Sequence, residues 1–451
     1  MQHITIYDFL LLPIYLFIFY VLVKRRSLRL ENSELKKIFL VAFGLRMFGS
    51  IAYSLMVQYY YGYGDSFTYY MGGSFLVDQV KLDISNIKYL FYSADELQKI
   101  YTAENGAVGG VAGWIGISSS AAVMRVSAAV ALLSFNKFLI TSIFFGLFSF
   151  FGQWKLFQVF NDINKGKNQK LLAFAVLYTP AIWFWGSGLM KESICFGSLG
   201  FIISILYYAV VKKKWQWADW LLLAFFSYII YITKSYIITI LAISLSLTFL
   251  FNFFLRIRII LLRIILTILT LAILIFSLSL SNFTSQINDL AEESVSTIEI
   301  YQKNYQISQT EDENSRGGFE MVSNLAPSFN SMLLRSPVVI LSCLYRPFLW
   351  ESQKIIIFFS SLESTLFLLA TLYMLFKSRV WGFFKMIFTD PYFFFCFMLT
   401  VLFAMIIGFT TYNFGTMTRY KIVLLPFAYF MLIQIYTIYQ IKDQNKDSLT
   451  G

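Results

Sequence analysis

The sequence has 451 residues, of which 58% are hydrophobic and only 14% are charged. Soluble domains carry about 25% charged residues, so this composition argues against a soluble globular protein. The formal charge of +11 does not indicate nucleic-acid binding, because the Lys and Arg residues lie in short loops between apolar runs.

Apolar runs long enough to cross a bilayer recur along the chain. A hydrocarbon core about 30 Å thick requires roughly 20 apolar residues in a helix, and the alternation that a membrane barrel would need is absent. The sequence therefore predicts an all-α, polytopic transmembrane helical bundle of about eleven spans, forming a single integral membrane domain over 1–451. The predicted spans are 5–23, 38–58, 138–154, 171–187, 193–211, 218–232, 236–254, 260–281, 354–376, 391–410 and 422–440.

Basic clusters predict the orientation of the bundle. Lys and Arg residues follow every odd-numbered span, as the positive-inside rule requires if the N-terminus is outside and the C-terminus inside. The first span lacks a basic n-region and a small-residue cleavage site, so it is interpreted as an anchor. Low cysteine use and the span lengths fit a bacterial inner (plasma) membrane.

Two segments are too polar to cross the membrane, and both fall on the predicted outer side. The first, 59–137, is predicted to be an extracytoplasmic loop with an interfacial helix at 118–135. The second, 282–353, is a large extracytoplasmic loop with another interfacial stretch at 336–350. Its acidic run, 311–313, is typical of a solvated surface, so no metal site is predicted there.

Few residues are suited to metal or cofactor binding. The single histidine, His3, lies near the start of the chain, and three cysteines lack CxxC spacing. We therefore expect neither histidine catalysis nor a disulfide framework nor a zinc site. The predicted set of cofactors is none.

Ionisable residues instead gather at span ends on the predicted outer face, where burying charge is costly and functional roles are common. Cations bind phosphate groups, aromatic faces pack against sugars and prenyl chains, and a carboxylate can act as a general base. The predicted substrate is an anionic lipid-linked sugar, with Asp65 as the candidate base. The candidate binding residues are Lys191, Glu192, Lys234, Arg346, Glu351, Arg419 and Tyr420.

Two short strings resemble motifs of the bacterial GT-C superfamily of polyprenyl-phosphate-sugar glycosyltransferases. The first is Gly64-Asp65-Ser66 with tyrosines following, and the second is Arg419-Tyr420 at the start of the last span. The nearest further carboxylates, Asp78 and Asp83, are too far along the chain to form the paired motif of many members.

The resemblance implies that Asp65 activates the acceptor and that Arg419 holds the donor phosphate. It also implies a polyprenyl-(pyro)phosphate-linked sugar donor, a glycan or lipid acceptor, contact with membrane lipids, and an active site facing the periplasm or exterior. The activity would be glycosyl transfer in cell-surface polysaccharide or glycolipid assembly, and nucleic acid is not a predicted partner.

Two alternatives stay open. The strings at 187–193 and 346–351 resemble bacterial surface-polysaccharide membrane proteins, among which are O-antigen-type polymerases, and this implies pyrophosphate binding by Arg346 and Arg419. A lipid-linked glycan flippase or other transporter would instead use charges at membrane depth, for which Arg46 and Glu363 are the candidates.

Overall fold

The structure is a computed structural model. It describes residues 3–106, 110–255 and 329–450, apart from 353 and 412, and short pieces between 257 and 269. Side chains within 329–333 and 442–450 are not described. The chain divides into two compact units, Met1–Thr239 and Ile240–Gly451. In the described residues, the long regular elements are all helices.

The helices follow the apolar runs of the sequence. The elements that begin in the first unit are α1 Ile6–Ser27, α2 Ser33–Met56, α3 Asp65–Leu82, α4 Ala94–Asn105, α5 Gly110–Ile115, α6 Ser118–Ala131, α7 Phe138–Ile163, α8 Gln169–Ala173, α9 Pro180–Trp185, α10 Lys191–Leu206 and α11 Trp217–Phe254. Those of the second unit are α12 Phe329–Tyr345, α13 Ile355–Ser378, α14 Val380–Ile387, α15 Pro391–Thr410, α16 Phe414–Lys421 and α17 Leu425–Thr450.

In the described part of the chain, seven helices are long and apolar enough to cross a membrane, and a bent pair gives an eighth candidate. These helices fit the predicted all-α integral membrane protein. The seven are α1, α2 with its π-helical extension Val57–Tyr61, α7, α10 with its extension Tyr207–Val211, α11, α13 and α15, and the bent pair is α16 and α17. The count of eleven and the orientation stay predictions.

The two counts differ for local reasons. The predicted span 171–187 is divided into α8, a π-helical turn at Phe174–Tyr178 and α9, which begins at Pro180 because proline lacks the N–H needed to continue a helix. The predicted spans 218–232 and 236–254 form one element, α11, whose backbone is non-helical at Lys234 (φ −149°, ψ 78°). Most of the predicted span 260–281 lies outside the described residues.

The first unit is built around α7, which packs against α2 and α10. Phe39 of α2 packs on Trp154 of α7, with ring centroids 4.6 Å apart. On the other side, a Cβ built on Gly152 would overlap the backbone of Gly197 in α10, and one on Gly200 would overlap Gly152. Glycine is therefore what allows α7 and α10 to approach so closely.

Basic segments that predicted the orientation meet at one end of the first unit. Lys212, which follows α10, pairs with Asp162 near the end of α7 at 2.6 Å, and Lys170 lies 3.9 Å from Glu34 at the start of α2. This end of the unit therefore carries the basic segments that follow the first, third and fifth predicted spans.

The polar segment 59–137 is largely helical and includes α3, α4, α5 and α6. The predicted interfacial helix corresponds to α6, which packs closely on α3, where Gly72 and Gly73 leave room for Met124 and Ser127. Its central residues are buried within the protein. Its position relative to the lipid interface stays a prediction.

In the second unit, α15 packs against α12, α16 and α17. Gly408 of α15 leaves space for Val339 of α12, and Phe251 stacks on Phe394 with ring centroids 4.3 Å apart. The predicted interfacial stretch 336–350 corresponds to the second half of α12 and the turn after it. Most of the predicted loop 282–353, including the acidic run 311–313, lies outside the described residues.

Candidate functional site

Asp65 occupies the first turn of α3 because two glycines redirect the chain just before it. The extension of α2 ends at Gly62, which has φ +71°, and Gly64 has φ +144°. These values favour glycine. They place a half-buried carboxylate at the N-terminus of α3, where the helix dipole stabilises negative charge.

Lys191 connects α10 to α3 and α6. It is the first residue of α10, and its ammonium donates a hydrogen bond of 2.8 Å to the Ser119 hydroxyl in α6. The same ammonium lies 5.8 Å from the ring centroid of the buried Tyr69. Its charge interacts with that of Asp65 and with those of Glu192 and Lys234. The structure thus brings together four sequence-predicted site residues from three separate segments.

Glu192 and Lys234 form a buried ion pair. The Lys234 ammonium donates to the Glu192 carboxylate at 2.8 Å, and the two side chains are only 10% and 3% exposed. Lys234 is the residue at which α11 departs from helical backbone, so the pair ties this break to the start of α10. We call Asp65, Lys191, Glu192 and Lys234 the Asp65 cluster.

One stripe of α2 holds the segment that leads into the Asp65 cluster. Arg46, Ser50 and Tyr53, spaced four and three residues apart, lie on one helix face and contact segment 182–190. Their bonds are Arg46 to the Ile182 carbonyl (3.0 Å) and Ser187 hydroxyl (3.3 Å), Ser50 to the Ser187 carbonyl (2.9 Å), and Tyr53 to the Met190 sulfur (2.9 Å). Tyr53 also lies 3.0 Å from the hydroxyl of Ser66, so one tyrosine touches the residues next to both Asp65 and Lys191.

Two further residues beside Asp65 were not among the predicted site residues. His3 packs on Phe67 of α3, with ring centroids 4.4 Å apart, and burial lowers the pKa of its imidazole. Tyr70 donates a hydrogen bond of 2.7 Å to the Asn136 carbonyl, and burial raises its pKa to about 12. Both side chains are therefore neutral near pH 7.

In the second unit, Arg346 and Glu351 form a fork-like pair. The Arg346 Nε donates to both carboxylate oxygens at 2.9 and 3.1 Å, and a second guanidinium nitrogen also contacts Glu351. Glu351 accepts a further bond of 2.8 Å from the Phe348 backbone N–H. The Arg346 guanidinium lies 5.3 Å from the Phe414 ring centroid, so α16 contacts this turn.

Lys421 is a buried cation that the sequence reasoning missed. It is 3% exposed, and its ammonium donates to the carbonyls of Leu344 (3.3 Å) and Arg346 (2.6 Å) and to the Ser364 hydroxyl (3.3 Å). It therefore caps the C-terminal end of α12. Its position two residues after Arg419 was the available signal, because a lysine entering an apolar run requires internal partners.

The predicted Arg419 and Tyr420 lie on α16 next to Lys421, and the Arg419 guanidinium is 5.3 Å from the Tyr420 ring centroid. Glu363 of α13 is within 3.5 Å of the Tyr429 hydroxyl and interacts with the charge of Lys421. Glu363 therefore lies near polar groups of both α16 and α17.

Within the described residues, no three His, Cys, Asp or Glu side chains are grouped closely enough to hold a metal ion. In comparisons with known proteins, no family model matches the chain, and neither a curated protein nor a solved structure shows significant similarity to it.

Proposed function

We propose that the chain is a membrane glycosyltransferase that acts on lipid-linked sugars, with the Asp65 cluster as its reaction centre. The observation that carries this proposal is the placement of the Asp65 carboxylate within electrostatic reach of the Lys191 ammonium, which itself lies against the Tyr69 ring. Transfer from a sugar phosphate uses a base to take the acceptor proton and a cation to stabilise the departing phosphate.

In the proposed reaction, Asp65 accepts the proton of an acceptor hydroxyl as its oxygen attacks the anomeric carbon. The bond between that carbon and the donor phosphate oxygen breaks, and the phosphate leaves with the electron pair. Lys191 stabilises the negative charge on the departing phosphate. The Glu192–Lys234 pair holds the start of α10 in place, and the buried Tyr69 ring supports the Lys191 ammonium.

Donor-phosphate binding by Arg419 is proposed from the resemblance to the GT-C superfamily, and pyrophosphate binding by Arg346 from the resemblance to O-antigen-type polymerases. Glu351 and Tyr420 are proposed as binding residues from their positions beside these arginines in the sequence. The bacterial inner membrane is proposed from the low cysteine use and the span lengths, and the outward-facing active site from the positive-inside pattern of the basic loops.

The test compares surface glycans by mass spectrometry in cells that lack this chain and are complemented with the native sequence or a variant. Asp65→Asn keeps the shape of the side chain and removes the base, so we expect product formation to fall about 100-fold or more. The matched control is Asp78→Asn, because Asp78 lies on the same helix in an exposed pair with Lys81. It should restore normal glycans.

The outcomes distinguish the alternatives. Loss of one sugar in the Asp65→Asn cells supports the transferase. Shortened polymers with an intact first repeat indicate a polymerase, and accumulation of complete lipid-linked glycan inside the cell indicates a flippase. Normal glycans with Asp65→Asn, at native expression, would exclude Asp65 as the base.

A further inference from the structure

A cavity of about 670 Å³ opens at the basic end of the first unit. Ligand sites in proteins have volumes of about 300–1,000 Å³, so this one is large enough for a small molecule or a lipid headgroup. Its walls come from α7, from the end of α10, from the connecting segment 214–216 and from the start of α11. The cavity includes none of the Asp65 cluster.

Cations in this cavity outnumber acids. Lys155 of α7 is half-buried and, in the part of the chain that the structure describes, forms no hydrogen bond or ion pair; its charge interacts with those of Arg26 and Asp219. Lys214 supplies a second ammonium. The single carboxylate of the lining, Asp219, already accepts a bond of 2.8 Å from the Gln216 backbone N–H. The Lys155 ammonium is half-buried and has no hydrogen-bond or ion-pair partner in the described residues, so it favours an anionic ligand.

The opposite wall is apolar. Phe201 of α10 and Phe226 of α11 stack with ring centroids 4.6 Å apart, and Leu222 continues this surface one turn away with 45% of its area exposed. Trp215, 51% exposed, stands at the mouth, and exposed tryptophans are typical of the membrane–water interface. The cavity therefore combines cationic and apolar surfaces, which are complementary to the headgroup and first acyl carbons of an anionic lipid.

We propose that this cavity binds the phosphate headgroup of an anionic membrane lipid. The phosphate lies between the ammonium groups of Lys155 and Lys214, which provide charge-assisted hydrogen bonds, and the first part of the acyl chain lies along Phe201, Leu222 and Phe226. We expect an anionic headgroup to bind better than a zwitterionic one, because the described lining holds two ammonium groups and one carboxylate, which already accepts a backbone hydrogen bond.

The test uses the full chain, purified in a neutral detergent, and titrates it with phosphatidylglycerol or phosphatidylcholine while bound lipid is counted by native mass spectrometry. We expect the native protein to prefer phosphatidylglycerol. Lys155→Gln and Lys214→Gln should each weaken that binding about tenfold. The matched control is Lys213→Gln, which removes one exposed charge from the same segment outside the cavity lining and should change binding less than twofold.

Lys214 is exposed, so Lys214→Gln keeps the test valid even if Lys155→Gln impairs folding. An equal loss in Lys213→Gln would indicate diffuse charge attraction and overturn the proposal. So would equal binding of phosphatidylcholine. Displacement of phosphatidylglycerol by inorganic phosphate alone would overturn the assignment to a lipid.

Discussion

At the scale of single residues, the Glu192–Lys234 pair is the part of the Asp65 cluster whose stability depends most on both partners, because both charged groups are removed from water. Their mutual attraction offsets the desolvation of both ions only while the two stay together. The exposed pair of Lys81 with Asp78, whose side chains are 62% and 58% exposed, has no such constraint and contributes little.

We therefore expect Lys234→Met to destabilise the protein by about 3–5 kcal/mol, since it leaves the buried Glu192 carboxylate without the Lys234 ammonium. Thermal unfolding can be followed by the reaction of the three buried cysteines with a thiol-specific fluorophore. Adding Glu192→Leu to Lys234→Met should recover most of the loss, because an apolar pair replaces the ionic one. The control Lys81→Met should cost less than about 1 kcal/mol; an equal loss in the two single variants would contradict the prediction.

Residue types at span ends were readable from the sequence, but their partners were not. Four residues lie at the ends of apolar runs, and these positions predicted that they gather at one face of the bundle. The four are Asp65, Lys191, Glu192 and Lys234. The ion pair depends on α10 and α11 being neighbours, and no residue pattern within either run encodes that. Lys421 was overlooked for the same reason, because its burial depends on the end of α12.

At the scale of elements, hydropathy predicted helices well and their interruptions poorly. A window of about twenty residues averages over a single breaking position. It therefore merged α8, the following π-helical turn and α9 into one predicted span despite Pro180. In α11, by contrast, the predicted division at Lys234 in YITKSY falls on the residue at which the backbone departs from helical geometry. The segments on either side of Lys234 have 17 and 20 residues, or about 26 and 30 Å of helix, each close to the thickness of a hydrocarbon core.

The contact between α7 and α10 provides a test at this scale. Gly152→Ala would place a methyl group on the backbone of α10 at Gly197, so the two helices must separate, and we expect a loss of about 1–3 kcal/mol. The control is Gly44→Ala, because a Cβ at Gly44 meets nothing within 4 Å. That change should be neutral or stabilising, since alanine favours helix by about 0.5–1 kcal/mol. Comparable melting temperatures for the two variants in detergent would show that α7 and α10 are not in close contact.

At the scale of the whole molecule, α10 of the first unit connects the Asp65 cluster at one of its ends with the proposed lipid cavity near the other. This helix begins at Lys191 in the Asp65 cluster and, with its extension to Val211, has 21 residues, or about 32 Å. That length matches a hydrocarbon core of about 30 Å. The proposed reaction centre and the proposed lipid site therefore lie near opposite ends of one span, and their functions can be measured independently.

The orientation of the molecule is the remaining prediction, and three exposed positions test it. With the N-terminus outside, Asp95→Cys should lie outside the cell, whereas Glu31→Cys and Arg379→Cys should lie inside, because the latter two follow odd-numbered predicted spans. The natural cysteines 195, 343 and 396 are buried, so they give little background. A membrane-impermeant maleimide should label intact cells only through Asp95→Cys, and all three variants should react after permeabilisation.

Labelling of Glu31→Cys in intact cells would reverse the orientation and move the Asp65 cluster to the cytoplasmic side, where a periplasmic transferase has no donor to use. Position 31 inside together with labelling at 379 would instead show that an odd number of crossings separates the two positions, where the predicted spans give an even number.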